Sequence, residues 1–304
     1  MSVLLDTVER FTRLAGHNRL ALLVFRLGDS QGFGINVFKV REVLRRPRLE
    51  RMPSMHALVA GSFDYRGQTI PVVDLAAAMG YPPMASAAEA HLIVTEFSRT
   101  VQGFLVSDVD RIVHVDGAAM AAPPGALGYG ARVNAVTRLE GNLLAVVDVE
   151  QVLSSIEPAP VELSPRLQIA AETRPVRPRR VLVADDSLVA RQQLVELFKQ
   201  MNLECVVAHD GQEALERLIA LSEGKPEDNV AMIISDIEMP RLDGYALTRA
   251  VRETPALRHL KILLHSSLSG VFNEAMVSKV GADRFIAKFQ PDILANAVLE
   301  LLPA

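Results

Sequence analysis

Tryptophan is absent from this 304-residue chain, and cysteine occurs once, at Cys205. A single thiol excludes an internal disulfide, and the surrounding Leu203-Glu204-Cys205-Val206-Val207 reads as a buried strand in a protein of a reducing compartment. No apolar run approaches the roughly 20 residues that a membrane span needs. The opening Met1-Ser2-Val3-Leu4-Leu5-Asp6 has neither the basic flank nor the apolar core of a signal peptide. The expected location is the cytoplasm, without insertion into a membrane. A formal net charge of −4, from 32 basic and 36 acidic residues, gives no reason to expect a nucleic acid partner. His17, His56, His91 and His114 lack metal-ligand spacing, and the amino-terminal half has neither a glycine-rich phosphate loop nor a nucleophile elbow. That half reads as a binding module, not an enzyme.

Proline, by contrast, is concentrated. Pro158, Pro160, Pro165, Pro175 and Pro178 fall within residues 157–178, which predicts a semi-rigid linker with one short helical piece near Leu163 to Ala171. Two domains flank it, at 18–156 and 179–304. Ahead of the first, residues 1–17 carry Leu4, Val8, Phe11 and Leu14 at helical spacing, the pattern of an amphipathic helix.

Between residues 18 and 156 the pattern is of short strands, at Leu20 to Arg26, Gly34 to Val37, Gln68 to Val73, His91 to Phe97, Val101 to Val106 and Asn142 to Val147. The region contains two near-copies. Arg66-Gly67-Gln68-Thr69-Ile70-Pro71-Val72-Val73-Asp74-Leu75 aligns without gaps on Glu140-Gly141-Asn142-Leu143-Leu144-Ala145-Val146-Val147-Asp148-Val149. Upstream, Gly34, Val37, Val40 and Val43 match Gly103, Val106, Val109 and Ile112 at identical spacing. Such a duplication predicts two related β-subdomains packed as one unit. Arg66, on a turn beside Gly67, is the candidate for partner contact, because a guanidinium makes several directed hydrogen bonds. Glu42 is a second candidate, although a solvated charge on a helix face explains it as easily.

The carboxy-terminal domain is built on the apolar runs Val181 to Ala184, Ala231 to Ser235, Lys261 to His265 and Arg284 to Ala287, which predict buried parallel strands. Each run ends in a polar residue: Asp185-Asp186, Asp236, Ser266 and Lys288. In an open parallel sheet the carboxyl ends of the strands converge on the ligand site. Three carboxylates meeting there would repel one another unless a cation lay between them, and a hard, oxygen-seeking Mg²⁺ fits. A carboxylate so balanced can accept a phosphoryl group. A helix over about Pro291 to Leu302 ends the chain.

Two resemblances sharpen this reading. Leu20-Ala21-Leu22-Leu23-Val24-Phe25-Arg26-Leu27-Gly28, Gly34 to Val43, Gly61 to Gly67 and Ile70-Pro71-Val72-Val73-Asp74-Leu75 resemble a CheW-like coupling domain over residues 18 to 156. That family implies two small β-barrels that bind chemoreceptor tips and the histidine kinase CheA; its pattern also has an acidic residue at Glu42. Residues 179 to 304 resemble a CheY-like receiver, with Met239-Pro240 and Asp243-Gly244 after the acceptor as in that family. The resemblance implies a (βα)5 fold with a central parallel sheet. It makes Asp236 the phospho-acceptor, with Mg²⁺ held by Asp186, Asp236 and the Glu238 backbone carbonyl, and by Asp185 through water. Lys288 and the Ser266 hydroxyl would stabilise the phosphoryl group, and Ser266 with Phe285 would form the switch.

Three positions depart from the receiver pattern. Ser266 replaces the usual threonine, Ser267 a frequent alanine, and Phe289 the proline that normally follows the lysine. A cis bond before Phe289 would cost about 3 to 4 kcal/mol, against below about 1 before proline, so a different loop is expected there. Together the two domains resemble the CheV type. The expected function is a chemotaxis adaptor between receptors and CheA, recruited to membrane receptor arrays and regulated at Asp236. Its alternatives are a phosphate sink that drains the kinase, and a scaffold in a twitching or developmental kinase array.

Overall fold

The structure, a computed structural model, describes residues 19–84, 89–97, 100–123, 132–157, 161–173, 180–224, 229–266 and 279–302. The amphipathic helix expected over residues 1–17 and the Ser267 position lie outside the described residues. No described helix is long and apolar enough to cross a membrane. The chain forms two compact units.

The first unit holds β1 (Arg19–Arg26), β2 (Gly32–Asn36), β3 (Val40–Arg45), β4 (Val59–Tyr65), β5 (Gln68–Asp74), α1 (Leu75–Ala78), β6 (His91–Phe97), β7 (Thr100–Val106), β8 (Asp108–Asp116), β9 (Val133–Leu139), β10 (Asn142–Val147) and α2 (Val149–Ser154). These strands form two five-stranded sheets, ordered β8-β1-β2-β10-β9 and β3-β6-β7-β5-β4. Numbered by repeat, β1 to β5 correspond to β6 to β10. Both sheets then run third-first-second-fifth-fourth, with the first two strands drawn from one copy and the other three from its twin. The parallel pairings of β10 with β2 and of β5 with β7 join the copies. Strand exchange therefore leaves one shared core, in which Phe25, Phe33 and Ile70 pack in a cluster with Leu92, Phe104 and Val147. The duplication extends to the helix caps: Asp74 accepts from the Ala77 N–H at 3.0 Å, and Asp148 from the Glu150 and Gln151 N–H groups at 3.1 Å.

The second unit holds α3 (Pro165–Thr173), β11 (Arg180–Ala184), α4 (Leu188–Gln200), β12 (Glu204–Ala208), α5 (Gly211–Ser222), β13 (Met232–Ser235), α6 (Gly244–Glu253), β14 (Lys261–Ser266), β15 (Arg284–Ala287) and α7 (Pro291–Leu301). Its sheet, β12-β11-β13-β14-β15, is parallel throughout. Two apolar clusters flank it. One gathers Leu194, Leu197 and Phe198 of α4 with Leu294 and Val298 of α7; the other gathers Ala214 and Leu218 of α5 with Leu247 and Val251 of α6. Cys205, on the edge strand β12, is half-buried, and desolvation pushes its thiol up to about 12. The thiol is accordingly a packing group and not a nucleophile.

The linker differs from a plain spacer. Its helical piece is present as α3, and Leu163, Leu167 and Ala171 are buried in the same apolar cluster as α4 and α7. The Leu163 N–H donates to Gln200 Oε1 at 3.1 Å, Gln200 Nε2 donates to the Val161 carbonyl at 2.8 Å, and the Ser164 N–H donates to Asp292 Oδ1 at 3.0 Å. The described stretch 161–173 of the proline-rich segment thus belongs to the second unit.

Candidate functional site

Strand order brings the acidic residues together. β11 has β12 on one side and β13 on the other, so the chain reverses its winding there, and Asp185 and Asp236 follow the ends of β11 and β13. Asp185, Asp186 and Asp236 each offer a carboxylate oxygen, and these oxygens lie within 4.8 Å of one another. Asp185 is fully buried, Asp236 is nearly so, and Asp186 is partly exposed. The Asp185 carboxylate accepts from the Ser187 N–H at 3.0 Å, and the Ser187 hydroxyl in turn caps α4. Asp236 Oδ1 accepts from the Ile237 N–H at 2.7 Å.

Lys288 reaches this cluster from β15. Its ammonium lies 2.7 Å from Asp185 Oδ2 and 3.0 Å from Asp236 Oδ2, with the side chain 3% exposed. A buried ammonium on two carboxylates balances part of their charge and fixes the free edge of Asp236. The Lys288 N–H donates to the Ser266 carbonyl at 2.9 Å, which brings the ends of β14 and β15 to the same site. Ser266 is fully buried, Glu238 is buried in the turn after Asp236, and Phe285 is half-buried against the α5–α6 cluster. Gly244 is required by contact: a Cβ there would collide with the Asp236 carbonyl oxygen.

Sequence reasoning missed Arg191. This α4 residue is 7% exposed, and its guanidinium donates to the Asp185 carbonyl at 2.6 Å. It also missed the tie between Arg241, in the loop after Asp236, and Asp210, which caps α5. A lone arginine in an amphipathic helix carries no sequence signal of such a bond. Together, an oxygen-only donor set, a buried lysine and a strand-end carboxylate are suited to metal-assisted chemistry on an anion.

Residues 21–157 match the CheW-like domain family, and residues 181–299 match the response regulator receiver domain family. Across most of its length the chain is similar to three chemotaxis proteins of Helicobacter pylori. It is 28% identical to chemotaxis protein CheV3 over 89% of this chain and 88% of that protein. With chemotaxis protein CheV1 it shares 27% identity over 97% of each chain, and with chemotaxis protein CheV2 26% over 92% of this chain and 94% of the other. The chain is of the CheV type. It joins a CheW-like coupling domain to a receiver domain.

In this CheV-type chain the two residues singled out in the coupling domain are in contact. Arg66 Nη2 lies 2.9 Å from Glu42 Oε2, the Tyr65 hydroxyl donates to the same oxygen at 2.7 Å, and the guanidinium sits 5.2 Å from the Tyr65 ring centroid. Glu42 lies on strand β3, so the helix-face alternative is wrong; the short stretch Val40–Arg45 lies at a sheet edge. The Tyr65 hydroxyl, with Arg66 and Arg41, holds its carboxyl below the usual range. Arg66 remains 65% exposed in its side chain.

The second copy repeats this corner with its charges reversed. Arg111 stands at the position of Glu42 and pairs with Glu140, which stands at the position of Arg66. Arg66-Gly67 and Glu140-Gly141 both have positive φ, at 55° and 83° and at 52° and 85°, as a two-residue hairpin turn of mirror-image type requires. The gapless alignment already set Glu140 against Arg66; the inverted sign was the unused signal.

Proposed function

We propose that this CheV-type protein couples chemoreceptors to a CheA-type histidine kinase and is regulated by phosphorylation of Asp236. The observation that carries the regulatory half is the Lys288 ammonium shared by Asp185 and Asp236 within a three-carboxylate cluster, in a chain that also carries a CheW-like domain. Asp236 attacks the phosphorus of a phosphohistidine on the kinase. The new O–P bond forms as the P–N bond breaks, the electron pair leaves on the imidazole nitrogen, and an aspartyl phosphate results. Lys288 meets the incoming phosphoryl oxygens, and the Ser266 hydroxyl donates to one of them. Asp185, Asp186, Asp236 and the Glu238 carbonyl would hold Mg²⁺, whose charge neutralises the acid cluster and the arriving anion. Ser266 and Phe285 then report the new state, and Phe285, lacking a phenol, turns inward without needing a buried hydroxyl partner.

Exposure of Arg66 beside Glu42 and Tyr65 supports this corner as a partner contact of the coupling domain. Exposed, solvent-screened ion pairs contribute little to stability. Arg66→Ala should therefore leave the melting temperature nearly unchanged while weakening binding about tenfold.

Co-sedimentation with receptor-containing membranes and kinase, with and without a phosphodonor, tests both halves, alongside intact mass. Wild type should gain one phosphoryl group in Mg²⁺ and change its partner affinity at least about threefold. Asp236→Ala should gain none. Phosphoryl uptake with unchanged affinity would leave the phosphate sink as the function. Uptake by Asp236→Ala would remove the acceptor assignment, and full uptake in chelator would remove the metal requirement.

A further inference from the structure

Lys288-Phe289-Gln290-Pro291-Asp292 joins two sets of contacts that phosphoryl chemistry alone does not connect. At one end, the Lys288 ammonium lies 2.7 Å from Asp185 and 3.0 Å from Asp236. At the other, Asp292 in the first turn of α7 accepts the Ser164 N–H at 3.0 Å, just ahead of α3. Between them Phe289 packs against the apolar cluster that contains Leu163, Leu167 and Ala171, and Val161 packs there too. Its ring also meets His265 edge-on, with centroids 5.9 Å apart, and His265 directly precedes Ser266. The acceptor site and the linker helix are therefore attached to the same five-residue strip.

Among the described residues, α3 is held by a small set of groups. Its nine residues are fewer than the roughly 12 to 15 at which an isolated helix becomes even marginal in water, so docking and helix formation go together. Leu163, Leu167 and Ala171 supply its apolar anchor, while Ile169 is 60% exposed. Short elements with so few buried contacts open locally before the rest of a domain does.

We infer that α3 is a latch which phosphoryl uptake at Asp236 releases, an inference that rests on the acceptor reading above. Once Asp236 carries a phosphoryl group, the Lys288 ammonium follows the new oxygens and leaves its present position between two carboxylates. Phe289 and the first turn of α7 shift with the backbone of the strip. Asp292 then parts from the Ser164 N–H, the apolar floor under Leu163 and Leu167 changes shape, and the helix melts off the receiver.

The Arg166–Leu167 peptide bond reports this directly in the full-length wild-type chain. Docked, it lies within a packed helix; released, it is open to trypsin. Cleavage at this bond, followed by mass, should speed up at least tenfold when Mg²⁺ and beryllofluoride saturate the receiver, and bound fluorine resonances report that saturation separately. Asp236→Ala should show neither bound fluoride nor faster cleavage. Asp292→Ala should be cut faster than wild type without beryllofluoride and gain less from it. Bound fluoride with an unchanged cleavage rate would overturn the latch and leave the acceptor standing. Absence of bound fluoride in wild type would overturn both, and an Asp292→Ala protein that behaves as wild type would overturn the route through Asp292.

Discussion

Arg191 places a planar guanidinium, with its donors in a fixed fork, in the buried interior of the receiver. Its hydrogen bond to the Asp185 carbonyl braces the turn on which the two adjacent carboxylates stand. A lysine at this position would keep the charge and lose the planar fork. Arg191→Lys should destabilise the receiver by about 1 to 3 kcal/mol, the cost of an unsatisfied buried group, and slow phosphoryl uptake from a small donor. Urea unfolding and intact mass measure the two effects. Wild-type values in both would show that the bond braces nothing. On Arg66 the physics differs, since an exposed pair contributes little to folding and its interest lies in what it offers a partner.

Among the elements, α6 carries a pH dependence. Asp243 caps it, accepting from the Ala246 N–H at 2.7 Å, yet burial outweighs that bond and raises its carboxyl to about 6 from 3.8. Below about pH 3.8 both folded and unfolded chains hold the proton. Between about 3.8 and 6 only the folded chain does, so stability falls as pH rises, and above 6 the loss is complete, at most about 3 kcal/mol. Asparagine accepts the same hydrogen bond without charge. Asp243→Asn should equal wild type near pH 4 and exceed it by about 1 to 3 kcal/mol at pH 8, as urea unfolding at the two pH values will measure.

Among the strands, those made mostly of buried residues were the most legible from sequence. β11, β13 and β14 show as apolar runs because helices cover the sheet on each side, whereas β15 is an edge strand with one buried residue in four and shows only by its short apolar stretch; the residues that follow these strands identified the acidic site directly. β3 and β8 were not legible as strands. They are edge strands, β3 alternates between half-buried and exposed residues, and β8, Asp108–Asp116, has one buried residue in nine. Such segments are strands because a neighbour supplies their hydrogen bonds, not because their own pattern demands it. β4 was obscured by Gly61, where the register with β5 shifts. Docking of α3 escaped for a similar reason: three small contacts in a proline-rich stretch do not outweigh its composition.

At the scale of the whole molecule, exchange of strands between the repeats makes the coupling domain indivisible. β1 and β2 belong to a sheet completed by β8, β9 and β10, and β3, β4 and β5 to one completed by β6 and β7. A fragment of residues 1–84 should therefore remain unfolded, although it contains a complete repeat, whereas 1–157 should unfold in one cooperative transition. Circular dichroism against urea separates the two, and a folded 1–84 fragment would mean that each repeat closes on itself.

The docked α3 also sets a length. Glu157 and Val161 are four Cα steps apart, at most about 14 Å of chain, and Val161 is tied to Gln200. Were α3 to leave, the tether would run from Glu157 to Arg180, twenty-three steps, with a reach of at most about 80 Å. Release of one short helix would then lengthen the tether nearly sixfold, from four steps to twenty-three, and widen the span across which partners of the two domains can be engaged by one chain.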